Sequence, residues 1–416
     1  MERPWSGRQL HFVGIGGAGM SGLARVARAL GATVTGSDRA PVEGAALGHA
    51  AGNVPPGAEV VYSSAIPPDN PERTTGAPEL HRADLLAELT RLKPTIAISG
   101  THGKTTTSSM AVHGLIGAGA DPSYLVGGEV RSTGSNAGWG AGEWLVVEAD
   151  ESDRSLLKLD PTIAVVTNAE LDHHTTYSSR HDVEATFRAF LSRARHRVVP
   201  PDLAGDGDTV FDAEPELTAT GSTFSFDGQP VTLTVPGAHN ARNAAAALTA
   251  IRLAGADVAK AAEALGTFQG AGRRFEHLGT TAAGAEVVDD YAHHPTEVRA
   301  TIEAARTRNP RRVVALFQPH LFSRTQREAR AFGRALAQAD LAVILDVYPA
   351  RERAEDYPGV TGKLVADAAA DARGRVAWMR THENAEAFLR RELEPGDLLL
   401  TMGAGDVDRV GRALIA

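Results

Sequence analysis

The sequence contains no cysteine, which excludes disulfides, thiol catalysis and cysteine-bound zinc together. Lysine is scarce and stands only at Lys93, Lys104, Lys158, Lys260 and Lys363. There is no excess of positive charge either. A net charge of −9 speaks against a broad nucleic-acid surface while leaving room for a local basic pocket around an anionic ligand. No apolar run reaches the roughly 18 residues of a membrane span, and the polar stretch from Met1 to Gln9 has no signal-peptide core. The expectation is therefore a cytoplasmic protein with neither a membrane nor a nucleic-acid partner, a monomer or a weak homodimer.

What is present is an ordinary globular composition, 43% hydrophobic and 22% charged, over a length that at roughly 150 residues per domain predicts about three domains. Hydrophobic periodicity and turn signals place these at 1–92, 93–272 and 273–416. In the first, Leu10 to Ile15 reads as a strand, Gly14 to Gly19 as a turn, Met20 to Leu30 as a helix and Ala32 to Gly36 as a strand ending at Asp38. Val60 to Ala65 is a further strand. A helix-prone stretch runs from Pro71 to Leu92, where Lys93-Pro94 breaks it.

The second domain opens with a strand from Thr95 to Ser99, a glycine loop and a helix from Lys104 to Ile116. Apolar strands follow at Trp144 to Val147 and Thr162 to Thr167, then a helix from Asp182 to Ala194. A hairpin is expected at Asp227-Gly228, followed by an alanine-rich helix from Ala241 to Ala254. Beyond the glycine-rich stretch Gly266 to Gly272, strands near Glu286, Val313, Ala342 and Leu398 alternate with helical segments. The fold class is α/β with three domains: Rossmann-like, P-loop-type ATPase, and Rossmann-like again.

The sharpest local signal is Ser99-Gly-Thr-His-Gly-Lys-Thr105, a strand feeding a glycine loop that opens a helix. Amides of such a loop (Gly100, Thr101, His102, Gly103, Thr106) hold phosphate oxygens, Lys104 supplies a point charge, and Thr105 can bind magnesium. The spacing is two residues shorter than the usual P-loop. Glu148 and His173 end or follow the next two strands, and a carboxylate and an imidazole there can complete magnesium coordination. Read singly, each is equally well a salt-bridge partner or a cap.

Near the N-terminus, Gly14-Ile-Gly-Gly-Ala-Gly19 followed by Asp38 at a strand end is the dinucleotide fingerprint, which puts a diphosphate on the helix N-terminus and a ribose or base near Asp38. Glycines needed only for close packing are the competing explanation. In the third domain Asp289-Asp-Tyr-Ala-His-His-Pro-Thr-Glu297 opens a helix, where His294 or Tyr291 reads equally as a cap or packing residue. Gln318-Pro-His-Leu-Phe-Ser-Arg-Thr325 offers Arg324 to an anionic group.

Together with Gly237-Ala-His-Asn-Ala-Arg-Asn243, Arg273-Arg-Phe-Glu276 and Thr401-Met-Gly-Ala-Gly-Asp406, these motifs resemble, in order and over essentially the whole chain, the Mur ligase family. The resemblance implies an enzyme that uses ATP and Mg2+ to join an amino acid to the lactyl carboxylate of UDP-N-acetylmuramate through an acyl phosphate. It points to the branch that adds L-alanine. It further implies that Gly14, Gly16, Gly17, Gly19, Met20, Ser37 and Asp38 hold the UDP-sugar, and that Lys104, Glu148, His173 and Arg274 are catalytic. ATP contacts would extend to Asn240, Asn243, Arg274 and Asp290, metal ligands would be Thr105, Glu148 and His173, and His293, His294 and Arg324 would face substrate. Siblings adding later amino acids use a carbamylated lysine in the central domain, and no lysine lies between Lys158 and Lys260 here. Leu321 interrupts the arginine-rich look of the third-domain motif. A recycling ligase that attaches a preformed tripeptide, a nicotinamide-dependent dehydrogenase, and a nucleotide switch without ligase activity are the alternatives.

Overall fold

The computed structural model describes residues 3–174 and 176–415. The N-terminal segment is a Rossmann-like layer. Strands β1 (Gln9–Val13), β2 (Thr33–Asp38), β3 (Ala46–Leu47), β4 (Glu59–Tyr62) and β5 (Glu79–His81) form a parallel sheet in the order β3-β2-β1-β4-β5, with helices α1 (Ala18–Ala29) and α2 (Arg82–Thr90).

The expected helix from Pro71 to Leu92 is shorter, because the chain before α2 is turned rather than helical. Asn70 Oδ1 accepts from the Glu72 amide, and Arg73 donates to the Ile66 carbonyl and to Glu79. Gly76 sits at φ +79° ahead of Pro78. The turn buries the Glu72 carboxylate completely.

The central segment adds β6 (Thr95–Ser99), α3 (Lys104–Gly117), β7 (Ser123–Val130), β8 (Ser135–Gly138), β9 (Leu145–Glu148), β10 (Ile163–Val166), α4 (Arg180–Leu191), β11 (His196–Val199) and β12 (Thr209–Val210). They form one sheet in the order β12-β11-β10-β6-β9-β7-β8, parallel except for β8. Every residue of β6 is buried, as befits a strand covered on both faces. Next comes a small sheet of β13 (Glu216–Thr218), β14 (Gly221–Phe226) and β15 (Gln229–Leu233). Its Asp227-Gly228 turn has positive φ at both residues, the type I′ geometry of a tight hairpin.

Helices α5 (Ala238–Leu253) and α6 (Val258–Leu265) follow. Gly114 and Gly117 let α3 approach them closely: a Cβ at Gly117 would stand 2.2 Å from that of Ala264, and one at Gly114 2.7 Å from Ile251.

The last segment comprises β16 (Glu276–Thr280), β17 (Glu286–Asp290), α7 (Pro295–Arg306), β18 (Arg312–Phe317), α8 (Phe322–Leu336), β19 (Leu341–Ile344), α9 (Lys363–Asp371), β20 (Val376–Trp378), α10 (His382–Glu392), β21 (Asp397–Met402) and α11 (Asp408–Ile415). The sheet runs β16-β17-β21-β18-β19-β20, with only β16 antiparallel. Val298, Phe332 and Val365 bring α7, α8 and α9 onto one face. Leu389 and Leu414 bring α10 and α11 onto the other.

The chain divides into two compact units. One holds everything up to Ala213 with Phe226–Val231 and Arg242–Phe268; the other holds Glu214–Ser225, Thr232–Ala241 and the chain from Gln269 onward. The two N-terminal sheets thus share a unit and one continuous core that runs from Trp5 and Leu30 to Phe187 and Val199. Among the described residues no helix is long and apolar enough to cross a membrane.

Candidate functional site

In the first unit the glycine loop from Gly100 to Thr106, expected to hold phosphate, leaves the carboxyl end of β6, between β9 and β10. That neighbourhood gathers the ends of three parallel strands on one edge, where open α/β sheets bind ligands. Gly100 has φ +134°, and a Cβ there would lie 2.0 Å from Thr167 Oγ1. Gly103, at φ +81°, precedes the first residue of α3, and a Cβ on it would lie 2.6 Å from Asn243 Oδ1. The loop therefore requires glycine at both positions, and Asn243 is brought against it.

The residue that shapes the loop was not singled out from the sequence. Asn168 accepts from the His102 amide at 2.9 Å through Oδ1 and donates to the His102 carbonyl at 2.9 Å through Nδ2. Thr167 Oγ1 donates to that carbonyl as well, and Thr101 Oγ1 donates to the Glu170 carbonyl. The end of β10 thus clasps the loop.

Lys104 folds back under the loop. Its Nζ donates to the Gly100 carbonyl at 2.6 Å, the Thr101 carbonyl at 3.1 Å and Glu151 Oε1 at 2.9 Å. Burial acts to lower its pKa, but Glu151, Glu148 and Asp150 together outweigh that and raise it, so the ammonium stays charged. Glu148 ends β9 and accepts from the Gly127 amide at 2.9 Å. His173, with φ +51°, holds Nε2 3.5 Å from Glu151 Oε1.

Glu151 is the acidic residue that the sequence reading passed over in favour of Glu148, although both lie in one motif. It is 2% exposed, and among the described residues its Oε2 has no hydrogen-bond partner. A buried carboxylate with one unsatisfied oxygen, close to His173 and Lys104, offers a hard oxygen donor of the kind magnesium prefers.

The glycine turn of the N-terminal layer is built by β2. Amides of Gly14 and Ile15 donate to the Ser37 carbonyl, and the Gly16 amide donates to Asp38 Oδ2 at 2.9 Å. Gly17 caps α1, with Gly19 and Met20 in its first turn. Asp38 is held below the ordinary carboxylate range: burial acts against this, but the amides of Ala40, Gly16 and Arg39 prevail. The Ser37 side chain is fully buried and donates to Glu72 Oε2 at 2.5 Å. Its hydroxyl is thereby turned to the interior while its carbonyl shapes the turn.

In the second unit Arg273 and Arg274 diverge. Arg273 pairs with buried Asp289 at 2.9 Å and donates to the carbonyls of Gly403 and Gly405, a structural clamp. Arg274 lies over the Tyr291 ring at 5.1 Å, with Glu297 at 4.0 Å. His294 caps α7 through Nδ1 in a capping box with Glu297. His293 packs edge-on against His320, which stacks on Tyr348. Arg324 is 4% exposed, with Nη1 3.2 Å from His320 Nδ1. Leu321 adopts φ +70° and donates its amide to the Tyr348 carbonyl. Asn240 donates to the Pro236 carbonyl at the start of α5.

Burial pushes the Asp290 carboxyl up to about 6 against the opposing pull of Arg274 and the amides of Phe275 and Ala292. A raised folded pKa means that the native state binds the proton more tightly than the unfolded chain. The Asp290 contribution is present below pH 4 and is lost as pH rises through about 6. Asp290→Asn does not titrate, so its stability relative to wild type should climb by about 2 kcal/mol between pH 4 and 7. Urea melts of both proteins across that range check this, and a flat difference would contradict it.

Known proteins resemble this chain along its whole length. Residues 9–94 match the Mur ligase family catalytic domain, 98–202 the Mur ligase middle domain, and 273–405 the Mur ligase glutamate ligase domain. The UDP-N-acetylmuramate–L-alanine ligase of Streptomyces griseus is 42% identical over an alignment covering 100% of this chain and 97% of the relative. The chain is a Mur ligase. The ligase of the same name from Bifidobacterium longum is 40% identical, covering 97% of this Mur ligase and 92% of its relative. The solved UDP-N-acetylmuramate–alanine ligase of Thermotoga maritima superposes with a TM-score of 0.83 at 27% identity, covering 98% of each chain. A murein peptide ligase from Psychrobacter arcticus shares the fold, with a TM-score of 0.70 at 23% identity and 98% of each chain covered.

Proposed function

We propose that this Mur ligase joins L-alanine to the lactyl carboxylate of UDP-N-acetylmuramate at the expense of ATP, in the synthesis of peptidoglycan precursors. The full-length identity to ligases of that name carries the reading, and the clasped phosphate loop supports it. The glycine turn, with Gly14, Gly16, Gly17, Gly19, Met20 and Asp38, takes the UDP moiety. The loop from Gly100 to Thr106, with Asn243 against it, takes the ATP phosphates. Magnesium held by Thr105, Glu148 and His173 would neutralise charge on the transferring phosphoryl group.

The lactyl carboxylate attacks the γ-phosphorus, the bond to the β-phosphate oxygen breaks, and ADP leaves. The amine of alanine then attacks the acyl phosphate carbonyl and loses a proton as inorganic phosphate departs. Lys104 faces the charge that develops in the first step. In the second unit Arg274, His293, His294 and Arg324 would offer cationic and hydrogen-bonding groups to anionic parts of the substrates, and Asp290 would accept hydrogen bonds from their donors.

Phosphate release from MgATP with UDP-N-acetylmuramate should require L-alanine and be weaker with glycine, L-serine, the recycling tripeptide or no amine. Preference for the tripeptide would move the enzyme to recycling. Release indifferent to any amine would sink the ligase reading.

A further inference from the structure

The acidic segment that follows β9 faces two ways. Glu151 points to Lys104 and His173, as described above. Its neighbour Asp150 accepts from Arg82 Nη2 at 2.8 Å, and Asp153 accepts from Ser64 Oγ at 2.7 Å with Arg82 Nη2 at 3.9 Å. Arg82 and Ser64 both belong to the N-terminal layer, so one short segment touches both candidate substrate sites.

The segment has little freedom to absorb a shift. Arg154 donates its amide to the Glu151 carbonyl, Leu156 to that of Asp150, Tyr177 Oη to that of Glu151 at 2.6 Å, and Thr176 Oγ1 to that of Ser152 at 2.6 Å. A displacement of the Asp150 side chain is therefore felt by Glu151, and through it by Lys104.

Arg82 is the first residue of α2, and its other arm reaches the glycine turn. Nη1 is the nearest atom to the place a Cβ on Gly19 would occupy, at 3.6 Å, on the first turn of α1. A guanidinium has five donors in a planar fork suited to two oxyanions at once, and this one is 23% exposed.

We propose that Arg82 couples the two sites: it pairs through Nη1 with the diphosphate of the sugar nucleotide at α1 while holding Asp150 through Nη2. This rests on the sugar nucleotide being the ligand of the glycine turn. A bound diphosphate fixes the guanidinium, the fixed guanidinium holds Asp150, and the phosphate loop meets ATP with Glu151 and Lys104 already in place. The two substrates then bind with positive cooperativity, equal in both directions. Arg82 is a positioning residue in this scheme.

The test is calorimetric titration of UDP-N-acetylmuramate and of a non-hydrolysable ATP analogue with magnesium, each alone and in the presence of the other. In the wild type each should tighten the other on the order of tenfold. Arg82→Ala should weaken sugar-nucleotide binding and bring the coupling ratio close to one. Asp150→Asn, which leaves the arginine facing α1, should also bring the ratio close to one while keeping sugar-nucleotide affinity within about twofold. An interdomain ion pair with only a structural role would lower melting temperature and leave the ratio intact. A wild-type ratio of one, or a variant that keeps the wild-type ratio, overturns the proposal. Failure of the wild type to bind the sugar nucleotide would remove the functional reading itself, whereas binding without coupling removes only this inference.

Discussion

Lys104→Ala should lower amide formation by roughly 10³-fold while the protein still binds the sugar nucleotide. The ammonium is the group to which we assign the charge on the transferring phosphate, and no other lysine is near in the chain, the next being Lys93 and Lys158. The substitution also strands Glu151, 2% exposed, without its 2.9 Å partner. A buried carboxylate deprived of its cation costs about 3–5 kcal/mol, so a fall in stability accompanies the fall in turnover. The double variant Lys104→Ala with Glu151→Gln separates the two effects: melting temperature should recover and amide formation should not. Single-turnover assays beside thermal melts make the comparison, and turnover restored in the double variant would refute the role given to Lys104.

The second large effect is expected at Glu72, far from any transferred atom. Its carboxylate is fully buried and receives Ser37 Oγ at 2.5 Å, Asn53 Nδ2 at 2.7 Å and the Ala50 amide at 3.2 Å, with His11 and His49 each 3.5 Å away. Burial acts to raise its pKa, but Ser37, Asn53, the Ala50 amide and His11 together lower it. Its stabilisation is thus present at neutral pH and lost as pH falls through the carboxylate range.

These contacts tie residues 46–53 to the end of β2, where the Gly48 amide also donates to the Asp38 carbonyl at 2.7 Å. Glu72→Ala takes the acceptor from the buried Ser37 hydroxyl and from the partly buried Asn53 amide group and Ala50 N–H, a loss of about 2–3 kcal/mol. KM for the sugar nucleotide should rise about tenfold with kcat little changed, because the loosened wall bears on binding and not on the transfer. Denaturant melts and steady-state kinetics test this together; a variant as stable as wild type would show that the network contributes nothing.

The strand, glycine loop and helix around Gly100 and Lys104 were legible in the sequence because the pattern is local: a strand, two glycines, a lysine and a threonine are read within a few residues. The glycine turn and Asp38 were legible for the same reason, as were the alternating strands of the last segment. Glu72 was not, since its partners Ser37 and Asn53 meet it only after the sheet forms. The β7–β8 hairpin gave no periodic signal, with Gly127, Gly128 and Gly134 interrupting it. Glu151 shows a different limit. Sequence brought Glu148 and Glu151 forward as one motif, but which carboxylate lies against Lys104 is decided by the turn after β9. Ser37 shows the converse, a residue in the right place whose hydroxyl faces inward.

The clasp of Asn168 on both polar groups of the His102 peptide bears on how the enzyme waits between turnovers. A phosphate loop held at its amide and its carbonyl does not have to order when nucleotide arrives, so little conformational entropy is lost at that step. Amide hydrogen exchange at His102 should be slow in the empty enzyme and change little on nucleotide binding, and nucleotide association should proceed at the rate of encounter rather than the rate of loop closure.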